Sequence, residues 1–350
     1  MGGQCVSIPQ LAHGSAIPPR ACAASYAVVE RQEIVWVWPG DPSEAAPDDI
    51  PVIPSLDRPG FTSIDFMMDL PYGQPYLVEN VIDIAHIHIA HDGIRGGGKR
   101  ELAAPLQFSV LENTVRGIRS TFASGGDDAA REGPSLRGAR VAFVAPNLVW
   151  YESEYVDTAR ASGLALYSLP LSESRCRLIY RAYSNFPRRR DRVMPRAVQH
   201  WTQCTILEQD MRVVMGQSEE IEGGDTPLRD LWLPIKSSDA LVIQYRKWLD
   251  DHGSSMPSGR GFTTVRPSRA PAGEPPVVDR FRLHTSICAS CTRAHRMMEQ
   301  TAKALIASIV LLLAAGVIWQ GTTFGVVSAT AAIAAGVGLV IVRAVKRRFE

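Results

Sequence analysis

The chain has 350 residues, and 37 Lys and Arg against 36 Asp and Glu leave a formal charge of +1. That length suits one large domain or two smaller ones with a well-buried core, and the even balance gives no electrostatic footprint for nucleic acid. The six cysteines, Cys5, Cys22, Cys176, Cys204, Cys288 and Cys291, are scattered except for the last two, which excludes a secreted disulfide framework and fits a reducing compartment.

The opening MGGQCVSIPQLAHGSAIPPR has no basic head followed by an apolar core, so it reads as neither a secretory signal nor a transit peptide. Residues 22–39, CAASYAVVERQEIVWVWP, alternate and predict two strands joined near Arg31 and Gln32. GDPSEAAPDDIPVIP then reads as turn and linker. Within ENVIDIAHIHIAHDG, residues 79–93, the pattern leaves helix and strand open for Asp83 to Ala90. GIRGGGKR, residues 93–100, lacks the spacing of a phosphate-binding loop and reads as a turn.

LAAPLQFSVLENTVRGIRSTF predicts strands, and ASGGDDAAREGPSLRGAR an exposed loop. VAFVAPNLVWYESEYV, GLALYSLPLS and CRLIYRAYSNF favour β structure through β-branched and aromatic alternation. RAVQHWTQCTILEQDMRVVMGQSEEI and ALVIQYRKWLDDHG have helical spacing. MPSGRGFTTVRPSRAPAGEPPVV, residues 256–278, is Pro- and Gly-rich and reads as a linker. From Ala304 to Val342 there is no charged side chain, and WQGTTFG splits the run in two. Arg293, Arg296 and Lys303 precede it, and Arg343, Lys346, Arg347 and Arg348 follow. Two membrane-spanning helices returning to one positively flanked side satisfy this pattern. The whole reads as a mixed α+β protein tethered to a membrane.

Three of the eight histidines lie within six residues, spaced Asn80-x2-Asp83-x2-His86-x4-His91 with His88 between. Metal chemistry is one reason to concentrate imidazoles and carboxylates so densely. On a helix, steps of three align Asn80, Asp83 and His86, whereas His91 sits about 140° around from His86. Both rings reach one ion only if the helix distorts or ends between them. Two histidines and a distant carboxylate would then form a facial triad for iron(II), with Asp83 fixing the tautomer of His86. A competing reading makes His86-x-His88 a strand, as in cupin-like barrels, with Glu101 as the third ligand. The bland reading is histidines with no ligand role.

NVIDIAHIHIAHDGIRGG resembles the iron motif of Rieske non-haem iron oxygenases, in the branch of pheophorbide a oxygenase, chlorophyllide a oxygenase and plastid translocon-associated relatives. GGQCVSIPQ with IPPRACAASYAVVERQEIVWVWPGDP resembles the end of that family's Rieske domain. LAAPLQFSV, LEQDMRVVMGQ and QYRKWLDDHG resemble its catalytic domain, and HTSICASC with paired membrane helices resembles this branch in particular. The resemblance implies a helix-grip-like antiparallel sheet and four parts. These are a truncated Rieske remnant (1–45), an iron domain (46–255), a linker with the Cys-x2-Cys segment (256–300) and two transmembrane helices (301–345).

It further implies His86, His91 and Asp210 as ligands of a mononuclear Fe(II), Asp83 as the electron bridge and Asn80 as a polar neighbour. Glu208 is the second candidate acid, while Glu219 and Glu220 read as a solvated face. A Rieske 2Fe–2S cluster needs Cys-x-His and Cys-x2-His, and none of the six cysteines begins either pattern. The expectation is therefore a chain lacking the first part of its Rieske domain. Cys288-x2-Cys291 reads either as a zinc site with His284 and His295 or as a redox dithiol, and the resemblance favours a thioredoxin-responsive pair. The implied activity is oxygenation of a hydrophobic tetrapyrrole with O2 and electrons from a ferredoxin-like donor. The implied assembly is a homotrimer, in a plastid membrane or a bacterial inner membrane.

Overall fold

The computed structural model describes residues 3–94, 98–124, 136–156, 159–186, 193–256, 259–265 and 278–350. Most of the loop expected over 123–140, the core of the GIRGGGKR turn and most of the 256–278 linker lie outside the described residues. The chain divides into two compact units, Met1–Phe61 and Thr62–Glu350.

In the first unit, β1 (Ala27–Arg31) pairs antiparallel with β2 (Ile34–Trp38), as the alternation predicts. Gln32 and Glu33 form the turn at φ 52° and 62°, the left-handed geometry that matches strand twist in a two-residue hairpin. The Gln32 amide bonds both ways with Ile53, at 2.9 and 3.0 Å, and pins the following segment of short 3-10 turns.

The second unit is built on seven antiparallel strands in the order β3-β9-β8-β7-β6-β5-β4. β4 (Leu106–Thr114), β5 (Gly117–Ser124), β6 (Leu136–Val144), β7 (Leu148–Tyr155), β8 (Ala161–Ser172) and β9 (Arg175–Ser184) form a meander. β3 (Thr62–Leu70) adds beside β9 as an edge strand. No element was expected over β3. Phe66, Met68 and Leu70 face the core, but Asp65 and Asp69 on the other face read like turn residues. Their carboxylates are answered across the strands by Arg181 and Arg177, at 2.7 and 2.6 Å. Gly163 on β8 is required because a Cβ there would lie 2.1 Å from the Tyr183 ring.

Helices α1 (Gln74–Ile82), α2 (Ile87–Ala90), α3 (Arg196–Gly223), α4 (Leu228–Leu231) and α5 (Ala240–His252) precede two long helices, α6 (Ala289–Ile318) and α7 (Thr323–Lys346). α1 and α3 bury Tyr76, Leu77, Cys204, Met211 and Val214 with Phe66, Met68 and Leu178 of the sheet. α5 places Leu241, Tyr245 and Trp248 on Ile118, Val141 and Phe143. The fold is thus α+β, with α1, the histidine segment and α3 brought together beside the sheet. α6 and α7 are long and apolar enough to cross a membrane by length and composition. The apolar window of α6 has no buried residue, and Leu311, Val317 and Ile333 are exposed.

Candidate metal centre

The histidine segment is broken helix, and the break brings its rings together. α1 stops at Ile82 because Asp83 leaves the helical region, at φ −78° and ψ 96°. Its Oδ1 accepts the Ala85 amide at 2.9 Å, an Asx-turn that redirects the chain. A single helical turn, Ile87–Ala90, follows, and Gly93 at φ 75° lets the backbone leave beyond His91. The aligned stripe of Asn80, Asp83 and His86 therefore does not form. Nor does the strand that a cupin-like site needs. His88 Nδ1 instead accepts the Lys99 amide at 3.2 Å, and Glu101 sits exposed in a 3-10 turn.

His86 and His91 face each other edge to face, with ring centroids 5.3 Å apart. Asp210, near the middle of α3, lies between them: its Oδ1 is 3.7 Å from His86 Nε2 and 3.3 Å from His91 Nε2. One ligand atom from each residue lies within 4.8 Å of the others. The far side of each ring is occupied. His86 Nδ1 contacts the Asp83 carbonyl, while the Asp83 carboxylate stays 4.0 Å away. The tautomer is thus set by the backbone of Asp83 and not by its side chain. His91 Nδ1 donates to Gln209 Oε1 at 3.1 Å. Both Nε2 lone pairs are left aimed at a carboxylate oxygen that is itself buried without a hydrogen-bond partner.

Two lone pairs facing an anion are stable only with a proton or a cation between them. The Asp210 carboxylate 3.3 Å away raises His91 above its usual range, with burial opposing. Burial also raises Asp83, with the nearby His86 opposing. Tyr72, buried without a partner for its hydroxyl, is pushed well above the usual phenol range by burial and by Cys176 and Asp210. Two imidazoles and one carboxylate, whose buried oxygen is orphaned, fit a mononuclear divalent iron. The Rieske cluster does not fit, because no cysteine of the chain stands in either half-motif.

The other candidates go elsewhere. Glu208 is held by Arg280 through two bonds of 2.5 Å. Glu219 and Glu220 are exposed, and Asn80 ends α1 half-buried. Cys288 and Cys291 meet His284, but His295 turns away to Glu350, at 3.3 Å. The fourth group beside the thiols is His200 of α3, 3.4 Å from Cys288 Sγ. His200 and Gln209 were not anticipated from the sequence, where nothing local marks either.

A family described as pheophorbide a oxygenase matches residues 143–227, which run from the end of β6 through the whole of α3. Protein TIC 55 of Arabidopsis thaliana chloroplasts is 31% identical over 92% of this chain. The chloroplast pheophorbide a oxygenase of the same plant is 28% identical over 88%. This chain is related to the chloroplast branch of the Rieske-type non-haem oxygenases. It spans 65% and 61% of the lengths of those two members. The fold agrees: dicamba monooxygenase with non-heme iron and dicamba superposes at a TM-score of 0.52 over 72% of this chain and 75% of that one, at 18% identity. The sheet and α3 therefore match the fold of a Rieske oxygenase catalytic domain.

Proposed function

We propose that the chain is the membrane-anchored catalytic part of a mononuclear iron oxygenase acting on a hydrophobic tetrapyrrole of the pheophorbide a or chlorophyllide a type. The observation that carries this is Asp210 Oδ1, buried, without a hydrogen bond, and flanked by the Nε2 atoms of His86 and His91. These three residues would hold Fe(II), whose chemistry when bound is the activation of O2 for insertion into a substrate carbon. The residues around it orient and exclude. The Asp83 carbonyl and Gln209 fix both rings with their Nε2 atoms inward. Tyr72 and the burial of His91 and Asp210, each 4% exposed, keep bulk water out.

Asp83, 26% exposed at its side chain, is the proposed point of electron entry beside His86. In this reading the chain assembles as a homotrimer, and electrons from a ferredoxin-like donor arrive through a Rieske-type centre whose ligands are not among the residues of this chain. Residues 1–45 are then a Rieske-domain remnant and 46–255 the iron domain. The paired helices after residue 300 support a site at a membrane, plastid or bacterial, where an apolar tetrapyrrole concentrates. The pheophorbide a oxygenase similarity supports that substrate class.

The test is anaerobic ferrous titration followed by O2 and a chemical electron donor, with pheophorbide a as substrate. One tight iron site and oxygenated product support the reading, and His91→Ala and Asp210→Ala should abolish both. Iron binding without product at any donor strength would support a non-catalytic, iron-binding or docking role instead. Undiminished iron binding in Asp210→Ala would overturn the centre itself.

A further inference from the structure

Four side chains from separate parts of the chain converge at the foot of the helical hairpin. His200 comes from the second turn of α3, and His284 from a π-helical turn, Phe281–Thr285. Cys288 immediately precedes α6 and Cys291 lies in its first turn. One ligand atom from each is within 4.8 Å of all the others. His284 Nε2 is 3.2 Å from Cys291 Sγ, and His200 Nδ1 is 3.4 Å from Cys288 Sγ and 3.6 Å from Cys291 Sγ. A tetrahedral ion with bonds of about 2.3 Å to sulfur and about 2.05 Å to nitrogen has N···S edges of about 3.5 Å. A two-iron cluster would put thiolates and imidazoles on different metals, too far apart for three such short edges.

The direction of the lone pairs is fixed by the edge of the sheet. Among the described residues β3 has a strand partner on one side only, so its outward carbonyls face no described strand. His200 Nε2–H donates to the Asp65 carbonyl at 3.0 Å, and His284 Nδ1–H to the Met67 carbonyl at 2.6 Å. With one ring nitrogen of each committed to β3, the other turns its lone pair toward the sulfurs. Phe66, between those two carbonyls, stacks on His284 at 4.4 Å and meets His200 edge-on at 5.3 Å, which locks both rings. His200 is 4% exposed, and His284 and Cys291 1% each.

We propose that His200, His284, Cys288 and Cys291 bind one zinc-class divalent cation in a closed, structural site. Two thiolates and two neutral imidazoles cancel the charge of a divalent ion, so the filled site is neutral and its burial carries little desolvation cost. Filling it is balanced without any oxidant: the ion binds two thiols and two imidazoles, and two protons leave. All four positions are taken by protein, so the ion has no open coordination position for substrate. Its role is mechanical. It ties the edge of the catalytic sheet, the start of α3 and the root of α6 to one point. The iron ligand Asp210 lies ten residues along α3, about 15 Å by helical rise, so the two sites do not share a ligand shell. The proposal stands independently of what the iron centre does.

The full chain, purified in detergent without chelators, is analysed for metal content and by zinc-edge X-ray absorption. The expected result is about one zinc per chain, with two sulfur and two nitrogen neighbours. His200→Ala leaves the Cys-x2-Cys pair intact and should cut zinc at least tenfold, whereas His91→Ala should leave zinc unchanged. Cobalt exchanged into the unmodified chain should give the absorption bands of a tetrahedral thiolate site, which settles the matter even if His200→Ala fails to fold. Three outcomes would overturn it: metal-free protein whose thiols alkylate at once, a Cys288–Cys291 disulfide in the purified chain, or zinc without two sulfur neighbours.

Discussion

Gln209 touches no substrate in the proposed reaction, yet it holds the Nδ1 of His91 and so decides which ring nitrogen is left for a metal. Removing such a partner typically costs 10–100-fold in affinity. Gln209→Leu should therefore weaken ferrous binding about 10–100-fold in an anaerobic titration, and Gln209→Glu, which keeps an acceptor, should restore most of it. Asp250 makes a different residue-scale prediction. Burial would raise its carboxyl, but the Thr264 hydroxyl and the amides of Thr263 and Phe262 outweigh that and hold it below its ordinary value of 3.8. A folded value below the unfolded one stabilises above about pH 4, and the gain is lost as pH falls through the folded value. Asp250→Asn should thus cost about 1 kcal/mol at neutral pH, reduced by solvent screening, and flatten the acid limb of a stability–pH profile. At this scale the approach of His86 and His91 was legible because one short motif holds both. Gln209 was not, since its partner is 118 residues away and no local spacing marks the pair.

α3 is the element on which both clusters depend, and its C-terminal end is secured from outside. Arg260, 1% exposed, donates to the carbonyls of Ile221 and Gly224, groups that a helix terminus leaves without internal partners, and to that of Thr226 just beyond. Arg260→Met keeps most of the volume but orphans those carbonyls. It should lower stability by about 2–4 kcal/mol, read as a lower urea midpoint with an unchanged slope. α1 and α5 are joined in a related way: Arg246, fully buried, pairs with Glu79, which also accepts from Gln217 of α3 at 2.7 Å. Breaking one side of a buried pair strands the other charge, so Arg246→Met should cost about 3–5 kcal/mol in the same measurement. The meander β4–β9 and α5 were legible because each carries a period of two or of helical spacing. β3 was not, because cross-strand arginines convert its aspartates from apparent turn signals into paired strand residues. The histidine segment stayed ambiguous for a similar reason: the Asx-turn at Asp83 belongs to neither period.

At the scale of the second unit, the hairpin is fastened at its root and bare along its length. Arg280 grips Glu208 of α3 and the Arg348 carbonyl together, at 2.5 and 2.6 Å, and Thr285 donates to the Phe349 carbonyl at 2.7 Å. Arg348 also lies over the Trp201 ring at 4.7 Å. Both ends of the hairpin are thereby held against α3, with Arg343, Lys346 and Arg347 on the same side. Between Lys303 and Arg343 the pair offers water no charge, while Leu311 is 69% and Ile333 70% exposed. An apolar surface this long fits a lipid environment. A lysine at the centre of a spanning helix costs about 2.5–3.5 kcal/mol of insertion, whereas an exposed site in water tolerates it. Leu311→Lys combined with Ile333→Lys should therefore move the chain out of the carbonate-resistant membrane fraction. The same change at Val213, exposed on α3 away from the hairpin, should leave the chain in the membrane. If the double variant instead stayed in the pellet, or if the unmodified chain were soluble without detergent, the helices would have to find their partner in protein and not in lipid.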